Sequence, residues 1–287
     1  MSHIITEHSR NLHSVRFPFD TQRPFTALLA SDVHWDSKKC DRALLKRHFD
    51  EAAEIGAPIF IAGVWFDAMQ GKYDPRGDKS ELRPEYQVGG QAYFDTVVSD
   101  SVEFLKKYPV ALIGQGNHET SVLKRQETNL IERTVAGLRA LGRQVHMGGY
   151  GGWVRFTADR GEQSTAFSIL MKYFHGSGGG GMMTHGTLST RRQASFMPDA
   201  DIIWNGHTHD QWMMAMARER VKNNSICQDS VHIVRTPGYK DDYGDGSHGW
   251  AVERGMPPKP RGSLWLTIRS RASEGERWPV IDFRFTT

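Results

Sequence analysis

Apolar positions along the chain change rhythm once, near its midpoint. Before it, short runs of consecutive apolar residues alternate with longer stretches that are apolar every three or four positions, the pattern of buried strands alternating with one-faced helices. "FTALLASDVHW" reads as a buried strand, and "CDRALLKRHFDEAAEIG" aligns Leu44, Leu45, His48, Phe49 and Ala52 on one helical stripe closed by Gly56 as C-cap. A strand "APIFIAG", an irregular polar insertion over 71–90, a helix around Tyr93 to Lys106, a strand "PVALIGQGN" and a long helix from about Ser121 to Leu141, stopped by Gly142, continue the series. Strand–helix–strand order of this kind predicts parallel pairing.

After Gln144 the pattern is strand-like, with "GWVRFTA", "STAFSILMKYFHG", "ADIIWNG", "QWMMAMARE", "SVHIVRTPG", "GSLWLTIRS" and "WPVIDFRFT" separated by turn residues. The expected fold is therefore α/β, two packed mixed β-sheets flanked by helices, with a site where the polar strand ends meet. "GGYGGW" and "GSGGGGMM" are too short to link domains, so residues 25–287 read as a single domain after a polar N-terminal arm at 1–24.

Composition narrows the function only slightly. The 287 residues are 38% apolar, enough for a sizeable core, and the formal charge is +3 with a pI near 8.8. That balance tolerates a phosphate-bearing substrate but lacks the clustered Lys and Arg of a dedicated nucleic-acid surface. The two cysteines, Cys40 and Cys227, have no paired spacing, so neither a disulfide framework nor a thiolate metal site is expected. No apolar run approaches the roughly 18 residues of a membrane span. A cytoplasmic protein with no membrane partner is the expectation, and the polar arm leaves a homo-oligomer open.

The chemistry is concentrated at strand ends. "SDVHWD" supplies Asp32 and His34, "GNHE" supplies Asn117 and His118, "YFHG" supplies His175, and "NGHTHD" supplies His207 and His209. Imidazole nitrogens with carboxylate and carboxamide oxygens suit a divalent transition metal, Mn or Zn first and Fe or Ni next. A lone histidine of this kind is ordinarily a satisfied core or surface residue; four such strand ends in one chain are harder to explain that way.

Taken in order, DxH, a GVxxD where GDxxD is the pattern, GNHE, a His before Gly, and GHxH resemble the calcineurin-like metallophosphoesterase family over Asp32 to His209. "GNHET" and "MQGKYDPR" further resemble members carried by bacteriophages. The resemblance implies a β-sandwich with helices on its outer faces and up to two metal ions, one on Asp32, His34 and His209 and one on Asn117, His175 and His207. It implies His118 near the leaving group, and Asp67 and Glu119 behind the ligands. The implied activity is metal-dependent phosphoric ester hydrolysis of a nucleotide or nucleic-acid phosphodiester, with water as nucleophile; a small phosphate ester is the other partner class.

One position breaks the pattern. Where the family has a carboxylate bridging both metals, this chain has Val64, which carries no donor atom. Two divalent ions about 3.5 Å apart repel by roughly 5 kcal/mol even at the dielectric constant of bulk water, so losing the anion between them should weaken dinuclear binding. The Asp32, His34 and His209 set keeps a negative charge and should hold the tighter ion, about one per chain. Asp36 or Asp67 reaching in as a substitute is a further reading, and whether Val64 is native or introduced stays open. Two other functions remain in view: a phosphate-ester binding protein with little turnover, and a one-metal hydrolase of carboxyl esters or phosphotriesters.

Remaining features are weaker. His185, Arg191 and Arg192 follow His175 in a Gly-rich loop and can be read as gripping phosphate or as facing water. Trp35, Trp65, Phe66, Tyr173, Trp204 and Trp212 can be read as a base-stacking platform or as packing. No Gly-x-Ser-x-Gly elbow is present, so covalent catalysis through serine is not supported.

Overall fold

The computed structural model describes residues 3–69, 79–87, 91–161, 164–179, 181, 183–222, 224–247, 250–273 and 276–287. Residues 4–18, within the N-terminal arm, are strands β1 (Ile4–Ser9) and β2 (Leu12–Pro18), an antiparallel hairpin. Alternating apolar positions explain this: Val15 and Phe17 turn one face of β2 into the core.

The strand–helix alternation forms as the spacing predicts. It runs β3 (Phe25–Ala30), α1 (Arg42–Glu54), β4 (Ile59–Ile61), α2 (Gln91–Leu105) and β5 (Val110–Ile113). β3, β4 and β5 pair in parallel. Asp41 caps α1 by accepting the Leu44 N–H at 2.9 Å. The polar insertion lies largely outside the described residues, as does most of "MQGKYDPR". The single long helix expected up to Leu141 is instead two, α3 (Asn117–Gln126) and α4 (Leu130–Ala140). Glu127 at φ +54° ends the first, and the Asn129 side chain starts the second by accepting the Glu132 N–H. Asn followed three residues later by Glu was a helix-start signal in the sequence.

The strand-rich half contributes β6 (His146–Met147), β7 (Gly151–Asp159), β8 (Thr165–Phe174), helix α5 (Thr187–Phe196), β9 (Ile202–Asn205), β10 (Trp212–Lys222), β11 (Ser225–Arg235), a short α6 (Trp250–Glu253), β12 (Ser263–Ser273) and β13 (Glu276–Thr286). Two mixed sheets result, in the orders β1-β2-β7-β8-β9-β11-β10 and β13-β12-β3-β4-β5-β6. The core between them includes Phe60, Phe156, Ile169, Met171, Trp204, Leu264 and Leu266, all buried. A second apolar layer packs α1, α2 and α4 on the outer face of the six-stranded sheet, and α5 covers β9 and β11 on the other. Both cysteines are free thiols, and among the described residues no helix is long and apolar enough to cross a membrane.

Aromatic packing fixes the loop that carries Val64. Trp65 follows it, is fully buried, stacks on Trp35 at 5.6 Å and donates its indole N–H to Ser101 at 2.6 Å. Trp35, Phe66, Tyr173 and Trp204 are buried as well, so they pack the core and present no ring to solvent for a base.

The core also buries a titratable group. His48, on the inner face of α1, contacts the Tyr239 hydroxyl at 3.0 Å and the Thr286 hydroxyl at 3.1 Å. Burial, with Arg47 nearby, pushes it from 6.5 down to about 4. Its folded value lies below its unfolded one, so between about pH 6.5 and 4 the unfolded chain takes up a proton that the folded protein refuses. Stability is fully present above that window and falls as pH drops through it, by at most about 1.4 kcal/mol per pH unit for one such group. Urea unfolding of wild type and His48→Gln from pH 7.5 to 4.5 checks this: the wild type should lose stability below pH 6.5, and the variant should show a shallower slope. Equal slopes would mean that His48 titrates normally.

Candidate metal centre

Every ligand position suggested by the sequence sits just past the carboxyl end of a strand. Asp32 and His34 follow β3, Val64 follows β4, Asn117 opens α3 after β5, His175 follows β8, and His207 and His209 follow β9. These loops turn sharply. Asp32, His34, Val64, His207 and His209 have φ values of +52°, +53°, +41°, +73° and +54°. The left-handed region costs an L-residue roughly 1–2 kcal/mol, and its clustering at one place marks a site whose geometry the surrounding fold enforces.

Asp32 ties the loops together. Its Oδ2 accepts the His207 N–H at 2.8 Å, and its carbonyl accepts the Tyr239 N–H at 2.9 Å. Its Oδ1 faces both ligand sets, 3.6 Å from His209 Nε2 and 3.9 Å from His175 Nε2. His34 Nε2 and His209 Nε2 lie 3.3 Å apart, and the donor atoms of Asp32, His34 and His209 are all within 4.8 Å of one another. Donors around a tetrahedral ion with bonds of about 2.0–2.1 Å are separated by about 3.3 Å, so this set fits one transition metal with modest adjustment. In the second set, His175 Nε2 is 2.9 Å from Asn117 Oδ1, and the His175 and His207 rings meet edge to face at 5.1 Å.

The backs of the imidazoles are held so that the ligating nitrogens point inward. His34 Nδ1 donates to Asp67 Oδ1 at 2.5 Å, and His175 Nδ1 donates to the Ala62 carbonyl at 3.1 Å. Each leaves an Nε2 lone pair facing the centre, the arrangement metal-binding histidines use. Burial pushes His175 and His209 down to about 4, and it lowers His207 too. Burial would raise the Asp32 carboxyl, but His175, His209 and His34 around it hold it down at about 2. His175, His207 and His209 thus offer neutral imidazoles and Asp32 an anionic carboxylate at neutral pH, the protonation states that a metal requires.

Asp67 and Glu119 lie behind the candidate ligand loops. Burial opposes the Asp67 charge, yet Lys240 at 3.1 Å and the His34 hydrogen bond keep it ionised, well below the usual carboxylate range. Glu119 accepts the Phe66 N–H at 2.9 Å and the Gly116 N–H at 2.8 Å, which ties the Val64 loop to the Asn117 loop. Burial raises it to about 7 in spite of those bonds. His118 donates Nδ1–H to the Asp67 carbonyl at 2.6 Å; burial, with His34 adjacent, pushes it down to about 3.

Val64 is 1% exposed and sits against the His34 loop and Gly116, the residue before Asn117. Its carbonyl accepts the Val33 and His34 N–H groups, and its Cγ2 would be 2.4 Å from a Cβ at Gly116. A β-branched residue at positive φ is an outlier, whereas Asp and Asn tolerate that region. The backbone here therefore has the shape that a carboxylate residue prefers. Neither Asp36 nor Asp67 replaces the missing ligand. Asp36 accepts the Asp67 and Ala68 N–H groups and the Tyr93 hydroxyl, and Asp67 lies behind His34 on its Nδ1 side.

The phosphate-gripping candidates lie farther out. His185 is half-exposed and pairs with Asp210 at 3.1 Å, and Arg191 and Arg192 sit exposed on α5, a helix where a loop was expected. Sequence reading missed the buried cations. Lys240 neutralises Asp67 and also lies 3.4 Å from Asp242, while Arg235 is 3% exposed and donates to the Thr190 and Thr208 hydroxyls. Both come from segments without motif spacing, and only the fold brings them to the ligand loops.

No protein-family model matches the chain, and no curated protein matches its sequence. Among solved structures the chain is similar to vacuolar protein sorting 29 from Cryptosporidium parvum, at 13% identity over 92% of this chain and 99% of that one, with a TM-score of 0.37. It is also similar to a conserved uncharacterized protein of Streptococcus pneumoniae described as a predicted phosphoesterase, at 10% identity over 91% and 99% of the two chains, with a TM-score of 0.31. A third, GAP50, described as the anchor in the inner membrane complex of Plasmodium, shares 10% identity over 90% and 88%, with a TM-score of 0.36. At these values the likeness assigns neither a family nor an activity, and what the centre does rests on its side chains.

The ligand geometry is tested by metal content. Purified protein loaded with Mn²⁺ and passed through a desalting column should retain about one ion per chain at this centre; His209→Ala should lose that ion, and Asp67→Asn should weaken it 10- to 100-fold by freeing the His34 ring. Two equally tight ions within this centre, both lost when its ligands are replaced, would overturn the ranking of the half-sites.

Proposed function

We propose that this chain is a calcineurin-like metallophosphoesterase that hydrolyses a phosphodiester of a nucleotide or nucleic acid, with turnover reduced by Val64. The observation that carries the reading is the convergence of Asp32, His34 and His209 with Asn117, His175 and His207, with Asp32 Oδ1 facing both sets. When bound, a divalent metal polarises the phosphoryl oxygens and lowers the pKa of a water that attacks in line. The residues around it do the rest. Asp32 supplies fixed negative charge, Asp67 holds the His34 ring with its lone pair inward, and Glu119 keeps the two ligand loops in register.

His118 takes the leaving-group side. With Nδ1–H committed to the Asp67 carbonyl, its Nε2 carries a lone pair at neutral pH. Delivering a proton to the departing oxygen needs the imidazolium form, which a phosphate anion within about 4–6 Å favours. The His118 proton is thus coupled to substrate binding. Lys240, buried beside Asp67, keeps the centre from carrying excess negative charge that would repel such an anion.

The Asp32, His34 and His209 set is complete without Val64, and this favours a second reading. One ion there suits a neutral carboxyl ester or phosphotriester, which needs no clamp for extra negative charge. A phosphate-ester binder with little turnover is the remaining outcome.

Rates on bis(p-nitrophenyl) phosphate, a phosphate monoester and a carboxyl ester in excess Mn²⁺ separate the readings. Val64→Asp should gain a second ion and at least tenfold in diesterase rate, and the positive φ at this position suits Asp better than the β-branched Val it replaces. Adding His118→Ala to that variant should lower kcat about 100-fold or more with metal content unchanged. A Val64→Asp protein that binds two ions yet cleaves no diester would overturn the proposal. Carboxyl ester turnover in its place would establish the one-metal reading.

A further inference from the structure

A second cluster of metal-type donors lies at the sheet edge, built from strands that contribute no ligand to the centre described above. Glu7 on β1 and His13 on β2 are direct partners across the antiparallel hairpin, so both side chains leave the same face. His146 on β6, in the other sheet, meets them. Its Nδ1 is 3.0 Å from Glu7 Oε2, and its ring lies 5.4 Å from that of His13. One donor atom from each of Glu7, His13 and His146 falls within 4.8 Å of the others.

His13 is the decisive residue. It is 0% exposed, and among the described residues neither of its ring nitrogens has a hydrogen-bond partner. Buried polar atoms are nearly always satisfied, so an imidazole turned toward a carboxylate and a second imidazole, with nothing to bond, calls for an explanation. Burial, with His146 next to it, pushes His13 down to about 4, so at neutral pH it is an uncharged ligand and does not pair with Glu7 as a cation. His146 is mostly buried, while Glu7 stays partly open to solvent, which leaves an entry path for an ion and room for water to complete its coordination. Arg139 approaches the same Glu7 oxygen at 3.5 Å and would have to yield that oxygen or share it.

We infer that Glu7, His13 and His146 form a second transition-metal site, of two imidazoles and one carboxylate, that takes Zn²⁺ or an ion of similar preference. Imidazole-rich sets with one carboxylate suit Zn, Co, Ni and Cu, and a fourth position filled by water completes a tetrahedron. Because the ligands come from both sheets, the bound ion would pin the N-terminal hairpin to the β6 edge. Its role would be structural, and the inference does not depend on the phosphoesterase reading.

Co²⁺ titration of chelator-stripped protein, followed by visible d–d absorption, tests it. The His34→Ala/His209→Ala variant removes the tight set of the main centre and should still take up one Co²⁺ with tetrahedral bands. Adding Glu7→Gln and His146→Ala should weaken that uptake at least tenfold while circular dichroism stays folded. In otherwise wild-type protein, Glu7→Gln/His146→Ala should lower Zn²⁺ stoichiometry by one and abolish the part of the Zn²⁺-induced rise in Tm that survives His34→Ala/His209→Ala. If Co²⁺ uptake by the His34→Ala/His209→Ala variant is absent, or is unchanged by Glu7→Gln/His146→Ala, the site does not exist. If the His34→Ala/His209→Ala variant fails to fold, an unchanged Zn²⁺ stoichiometry in the Glu7→Gln/His146→Ala protein overturns the inference by itself.

Discussion

A buried carboxylate cannot stay ionised unless its surroundings are arranged for it, and Asp32 is where this structure meets that demand. One of its oxygens is held by the His207 N–H, its backbone carbonyl holds the Tyr239 N–H, and its other oxygen faces histidines from two different strand ends. Each contact recruits a separate loop, so the charge of one side chain organises elements far apart in sequence. Close packing serves it: Gly206 and Gly238 approach so nearly that a Cβ on either would sit 2.5 Å from Asp32 Oδ2 or 2.7 Å from its carbonyl oxygen.

The strain at this centre is the counterpart of that arrangement. Four of the six candidate ligand residues, together with Val64, occupy left-handed backbone. Rigid surroundings hold them there: the parallel strands behind, the Trp35–Trp65 stack below, and the Asp36 carboxylate that accepts two successive N–H groups from the Val64 loop. A loop shaped for a residue that tolerates αL, but filled by valine, retains its geometry because the neighbours determine it. This is why the side chain can change while the architecture of the centre persists.

The two donor clusters differ in what surrounds them. Around Asp32, hydrogen bonds behind the His34 and His175 rings select the tautomer, and buried cations balance the acids. At the Glu7, His13 and His146 edge Arg139 lies 3.5 Å from Glu7, and among the described residues the His13 ring nitrogens have no hydrogen-bond partner. The first holds neutral imidazoles around an ionised carboxylate, the protonation states a metal ion requires; the second is a junction between sheets, where an ion would act chiefly by holding strands together.

Much of this molecule was legible in the chain. Periodicity alone separated the strand–helix half from the strand half, because a strand buried on both faces and a helix buried on one leave different apolar spacings. The six candidate ligand positions were legible because each follows a recognisable strand, and because chemistry at strand ends needs donor residues close together in sequence. What the chain could not reveal depends on distance in space. Lys240, Arg235 and the Glu7, His13 and His146 group have no spacing to betray them, since their partners arrive from other strands. The break at Glu127 and the hairpin at residues 4–18 were decided by local capping and by an open sheet edge. Valine at position 64 could be seen in the sequence as a missing donor; that its backbone keeps the shape of a residue with a carboxylate was decided only when two sheets brought their strand ends together.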